Sequence, residues 1–131
     1  MIRGVKATQR LDSSGDPTVQ VDLTTDDGTF RALVPAGKSE APHEFVELKD
    51  NDPGVYRGFG VEVAVKNVQE IIGPALVERR FNAQKQLREI DQFMVDLDGT
   101  PNLARLGANA VLGVSMACAR AGAAAAVCLL N

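Results

Sequence analysis

The chain of 131 residues holds a single histidine, His43. That scarcity excludes most sites built on imidazole. Glu40, His43, Glu44 and Glu47 lie close together, but one histidine next to Pro42 leaves no spacing that resembles a zinc set. A solvated acidic loop is the simpler reading of that group. Ser13, Ser14, Ser39 and Ser115 have only His43 as a base, and no Gly-x-Ser-x-Gly elbow occurs, so a nucleophilic triad is not expected.

Cysteine is also scarce. Cys118 and Cys128 both fall in one Ala-rich stretch. On a helix their separation is about 15 Å, too far for an intrahelical disulfide. They read as small buried apolar residues of a reducing compartment, which points to the cytoplasm. Charge of one sign is lacking too. Fourteen Lys and Arg against seventeen Asp and Glu give a net charge of −3. With no basic stripe or acidic tail, nucleic acid is not expected as a partner.

The opening "MIRGVKATQR" has no apolar h-region, so no secretory signal is expected there. Leu106 to Leu130 is long, with Arg120 its only ionised residue, and its length would permit a membrane span. It is dominated by Ala, Gly, Ser and Asn, whose transfer to lipid gains little. A core helix is therefore expected, and no membrane partner.

What is present is ordinary globular composition, 45% hydrophobic and 24% charged. A chain of this length buries roughly two-thirds of its unfolded surface, enough for one domain spanning 1–131. "TVQVDLT" alternates, with Val19, Val21 and Leu23 on one face of a half-buried strand. Asp27-Gly28 then signals a hairpin turn, and "TFRALV" returns. Residues 2–11 supply a third antiparallel strand. Beyond a loop rich in Asp, Asn, Pro and Gly (residues 50–60), Val61, Ala64, Val65, Val68, Ile71 and Ile72 recur at helical spacing, with Gly73-Pro74 expected to end that helix. Leu87, Ile90, Phe93, Met94 and Leu97 mark a second helix, closed by Asp98-Gly99. The third starts near Leu106. A three-stranded meander followed by a helical part is an α+β domain.

One stretch invites a specific chemistry. "LVPAGKSEAPHE", residues 33–44, sets Gly37-Lys38-Ser39 after a strand, as a phosphate loop would. Such a loop needs glycine five residues earlier so that backbone N–H groups can wrap the phosphates. That position is Ala32, inside the strand, and Pro42 interrupts the helix that should follow. A nucleotide site is not expected.

Several segments together resemble a known family. "LDSSGDPTVQVDLTTDDGTFRALVPAGKS", "ELKDND", "GPAL", "LDGTPN" and "LGANAVLGVSMACARAGAAA" are similar to the N-terminal domain of enolase (phosphopyruvate hydratase). The family pattern reads D-S-R-G-N-P-T-V-E-V, V-P-S-G-A-S-T-G, E-L-R-D, L-D-G-T and L-G-A-N-A-[IV]-L-G-V-S. The likeness runs from about residue 3 to residue 127 with little or no gap.

The resemblance implies a three-stranded meander plus helices, standing before a large α/β barrel. In the family that barrel carries the catalytic lysine and glutamate and the carboxylates holding the first magnesium ion. Ala36, Gly37, Lys38, Ser39, Glu40 and Ala41, with His43 and Glu44, correspond to the family's lid loop. Ser39 takes the place of the serine that binds a second Mg2+ through hydroxyl and carbonyl oxygens, the ligands a hard cation requires.

Departures accompany the match. Lys38 replaces a small residue, Glu40 a threonine and Ala41 a glycine, which narrows the φ/ψ space of a loop that must close. Ser14 and Thr8 stand where the family has arginine, and Gln20 where it has glutamate. Thr8 and Gln20 thus fall on positions that resemble charged partners across a subunit interface. The chain stops at Asn131, where the family continues into its barrel, so no catalytic residue is assigned within 1–131.

The expected role is that of an enolase-type N-terminal domain for glycolytic conversion of 2-phosphoglycerate to phosphoenolpyruvate, inactive by itself. An enolase-type barrel or another protein would cover an exposed face, and a homo-oligomer, in the simplest case a dimer, is expected. The second reading is a free-standing, non-catalytic interaction module.

Overall fold

The structure, a computed structural model, describes residues 1–11, 15, 17–34, 61–103 and 105–130, leaving aside the side chains of 128–130. Three antiparallel strands, β1 (Ile2–Leu11), β2 (Pro17–Thr25) and β3 (Gly28–Leu33), form one sheet in the order β1-β2-β3. The helices follow: α1 (Glu62–Asn67), a π turn (Val68–Ile72), α2 (Gly73–Arg79), α3 (Leu87–Asp98) and α4 (Ala108–Leu130). This is the expected α+β arrangement.

The alternation of β2 sends Val19, Val21 and Leu23 to the inner face, all with no exposed surface. Their cross-strand partners are Gln9, Ala7 and Val5 on β1, with Ala32 and Phe30 on β3 opposite Val21 and Leu23. Such pairs are the unit of sheet stability. The strand is more than half-buried, however. Thr18 and Gln20, on the opposite face, are also buried.

The hairpin differs from the expectation by one residue. Thr25 pairs with Gly28, so Asp26 and Asp27 make the connection and Gly28 opens β3 at φ 133°. Neither aspartate adopts a positive φ; glycine alone carries the backbone that an L side chain resists. The Asp27 N–H donates to the Thr25 hydroxyl, 3.1 Å, closing the turn locally.

A larger difference lies at Gly73-Pro74. This pair does not end its helix. The chain turns through one π turn and continues to Arg79, where Arg80 at φ 54° terminates it. The π register change leaves Pro74 at the first turn of α2, where its missing N–H removes no helical bond. Gly73 serves another purpose. A Cβ there would stand 3.0 Å from the Val68 carbonyl oxygen and 3.2 Å from the Val5 Cβ, so glycine lets the helix lie against β1.

α3 buries Ile90 and Met94 and half-buries Leu87, Phe93 and Leu97, as its spacing predicts. It ends at Gly99, φ 74°. Phe93 tilts against Phe81 with ring centroids 5.4 Å apart and carries the Arg79 guanidinium on its face at 5.0 Å. α4 crosses the inner face of the sheet. Its segment Ala108–Val127 is long and apolar enough to cross a bilayer, yet Ala110, Val114, Ala117 and Ala121 are core residues. Gly113 meets the sheet most closely, since a Cβ there would come within 2.8 Å of Val21 Cγ2.

Candidate functional site

The loop residues singled out from sequence, Ala36, Gly37, Lys38, Ser39, Glu40, Ala41, His43 and Glu44, lie outside the described residues. What the structure does show is the base on which residues 35–60 stand. Ala32, the residue occupying the glycine position of a phosphate loop, is inside β3 and fully buried.

The outgoing end is Val34, 2% exposed. Its N–H donates to the Val19 carbonyl at 3.0 Å, extending the ladder one residue beyond β3. Its own carbonyl accepts the Thr18 hydroxyl at 2.6 Å in a buried setting. Both backbone groups of Val34 are therefore engaged, as burial requires.

The returning end is Val61, with no exposed surface. Its N–H donates to Gln9 Oε1 at 2.8 Å, and its carbonyl accepts the Val65 N–H at 3.0 Å, opening α1. Gln9 is the register partner of Val19. Gln9, Val19 and Val34 thus lie across one end of the sheet, and Val61 is tied to the same row. Val34 and Val61, the described residues that flank 35–60, are both tied to that end of the sheet.

A second brace lies under the helices. Asp98, 1% exposed, accepts the Leu106 N–H on Oδ2 at 2.6 Å and the Thr100 N–H on Oδ1 at 3.0 Å; the Thr100 hydroxyl also donates to Oδ1. Burial pushes this carboxyl's pKa up, but hydrogen bonds from Thr100, Leu106 and Arg105 more than offset it and hold the group below the usual carboxylate range. Leu106 in turn accepts Asn67 Nδ2 on its carbonyl at 3.0 Å, joining this loop to the end of α1.

Thr8 and Gln20 are direct partners across β1 and β2, on the outer face of the sheet. Thr8 is exposed, whereas Gln20 is 6% exposed and its Nε2 has no hydrogen-bond partner. Cys118 sits in the core at the α3–α4 contact, its thiol pushed up to about 12, first by burial and then by the charge of Asp91. That matches the reading of an inert buried thiol. Ser115 is half-buried on α4. Among the described residues, no three of His, Cys, Asp and Glu gather as metal ligands.

Gln9, Thr18 and Asp98 are the residues that sequence reading did not single out. Thr18 and Asp98 fall inside segments that carry the family likeness, and an aspartate before glycine is a frequent acceptor for following N–H groups. Nothing local marks Gln9, whose partner is 52 residues away.

Fold and braces together define a meander-plus-helices α+β domain. The family model described as "Enolase, N-terminal domain" matches residues 2–130, nearly the whole chain. The chain belongs to that family.

Proposed function

We propose that this domain serves an enolase-type lyase, phosphopyruvate hydratase, which converts 2-phosphoglycerate to phosphoenolpyruvate in glycolysis. The family match over residues 2–130 carries this reading. The domain supplies a lid and a subunit-contact surface. Ala36 to Ala41, with His43 and Glu44, form the lid, and Ser39 offers hydroxyl and carbonyl oxygens to Mg2+. Lys38 next to it places a like charge near that cation and weakens its binding.

The subunit-contact surface is the outer sheet face around Thr8 and Gln20. Thr8 is exposed on this face and open to a second subunit, and a dimer through it is the reading. No residue of 1–131 acts as proton-abstracting base in this reading. General acid–base catalysis needs such a group within hydrogen-bonding reach of the substrate, and an enolase-type barrel provides it. The setting is cytoplasmic.

A second reading, a free-standing non-catalytic interaction module, is supported by the departures at Lys38, Glu40, Ala41, Thr8 and Gln20. Leu112, Met116, Ala119, Ala123 and Val127 follow one side of α4; Leu112 and Val127 are 44% and 56% exposed. An uncharged stripe of this kind marks a covered face, and either a barrel or a dedicated partner would cover it.

The deciding experiment is an assay of the purified chain with 2-phosphoglycerate and Mg2+, alone and with a separately produced enolase barrel. Turnover only in the mixture supports the enzyme-part reading. No turnover in the mixture, with a partner or self-association detected by size exclusion, supports the module. Turnover by the chain alone overturns both.

A further inference from the structure

We propose that Gln9 and Thr18 are positioning residues for the two ends of residues 35–60, fixing Val34 where the chain leaves the sheet and Val61 where it enters α1. The role concerns the segment that the lid reading makes functional, but the anchoring itself does not depend on that reading.

Each end carries a side-chain anchor, at Val34 in addition to the ladder bond from its N–H to the Val19 carbonyl. Gln9 Oε1 accepts the Val61 N–H at 2.8 Å, and the Thr18 hydroxyl donates to the Val34 carbonyl at 2.6 Å. Each partner is a backbone group on a residue at most 2% exposed. Water cannot readily replace the lost partner there, so deleting either side-chain group leaves a buried backbone group unsatisfied. The strand ladder itself is untouched, because Gln9 pairs with Val19 and Thr18 with Arg10 through their backbones. Gln9 and Thr18 are consecutive in neither strand nor sequence, yet they act on the two ends of one segment at one end of the sheet. A residue that only filled space would need neither the acceptor nor the hydroxyl.

Two isosteric pairs test this in the 131-residue chain. Gln9→Met removes the acceptor and Gln9→Glu retains it; Thr18→Val removes the donor and Thr18→Ser retains it. Amide hydrogen exchange is expected to accelerate about tenfold at Val61 in Gln9→Met, the loss of roughly one hydrogen bond; Thr18→Val orphans the Val34 carbonyl, not its N–H, and is read by the label distance below. Val21, in the middle of β2, should be unchanged; Gln9→Glu should restore protection at Val61, and Thr18→Ser the parent label distance. Spin labels at Ser39→Cys and Arg88→Cys, in a Cys128→Ser background, should report a shifted or broader distance distribution when either anchor is removed.

Unchanged exchange at Val61 in Gln9→Met, acceleration spread evenly over all amides, or an unchanged label distance in Thr18→Val would each overturn the proposal. Should Gln9→Met fail to fold, Thr18→Val still carries the label-distance measurement at the other end. Neither readout uses magnesium or turnover. A chain that passes these tests and binds no Mg2+ would therefore refute the lid reading alone.

Discussion

The carboxylate of Asp98, at the end of α3, accepts the backbone N–H of Leu106 at 2.6 Å, eight residues further on. With its bonds from Thr100 it holds the loop that leads into α4, and Leu106 passes the connection to Asn67. Two side chains, Asp98 and Asn67, thus link the end of α3, the approach to α4 and the end of α1 through Leu106.

Replacing Asp98 with alanine orphans the Leu106 and Thr100 N–H groups and is expected to cost about 2–3 kcal/mol, read as a lower denaturation midpoint in urea. Asparagine should recover part of this. Because the folded-state pKa lies below the unfolded value of 3.8, this contribution is present above that value and is lost as pH falls through the folded pKa. Acid titration of stability should therefore be shallower in Asp98→Asn than in the parent chain below pH ~4.

Gly113→Ala tests how closely α4 approaches the sheet. The new Cβ would lie 2.8 Å from Val21 Cγ2 and 3.1 Å from Val34 Cγ2, two methyls held in the core. Helix propensity favours alanine by about 1 kcal/mol, but overpacking of about 1–3 kcal/mol opposes it. Net destabilisation is expected, whereas Gly4→Ala, where a Cβ meets nothing within 4 Å, should show no such steric loss. Equal denaturation midpoints for the two variants would remove the close-approach argument.

Cys118 should be silent toward thiol reagents at pH 8 in the folded chain. Its thiol is buried and its pKa is raised from 9.0 to about 12. In a Cys128→Ser background, labelling should track global unfolding in denaturant. The same shift makes a pH prediction. The neutral thiol is favoured in the folded state, so its contribution is intact below pH 9 and is lost as pH rises toward 12.

Arg80 occupies the left-handed region, φ 54° and ψ 42°, at the end of the helix that begins with α1. Such a conformation costs an L residue about 1 kcal/mol. Arg80→Gly is expected to raise the melting temperature slightly. Arg79→Gly, one residue earlier within α2, should lower it, losing helix propensity and the contact over Phe93. Two changes of the same sign would contradict the cap assignment.

Much of this fold is legible in the chain. The period-2 run at 18–24, the helical runs from 61 and 87, and the glycine after Asp98 each express a local preference that the tertiary structure does not oppose. The family likeness of residues 33–44 is legible in the same way, because a motif is a property of sequence order. Gly73-Pro74 shows where local reasoning fails. Both residues usually stop helices, but a π turn absorbs the proline while packing against β1 rewards the glycine.

By itself, then, the sequence determined the order and type of the elements, the inner face of β2 and the family. Only the tertiary structure decided that Gln9 reaches Val61, that Thr18 holds Val34, and that Asp98 ties α3 to the start of α4. The reason is physical. Periodicity arises from neighbours along the chain, whereas a buried backbone N–H takes whichever acceptor the packed fold brings within 3 Å, however distant in sequence.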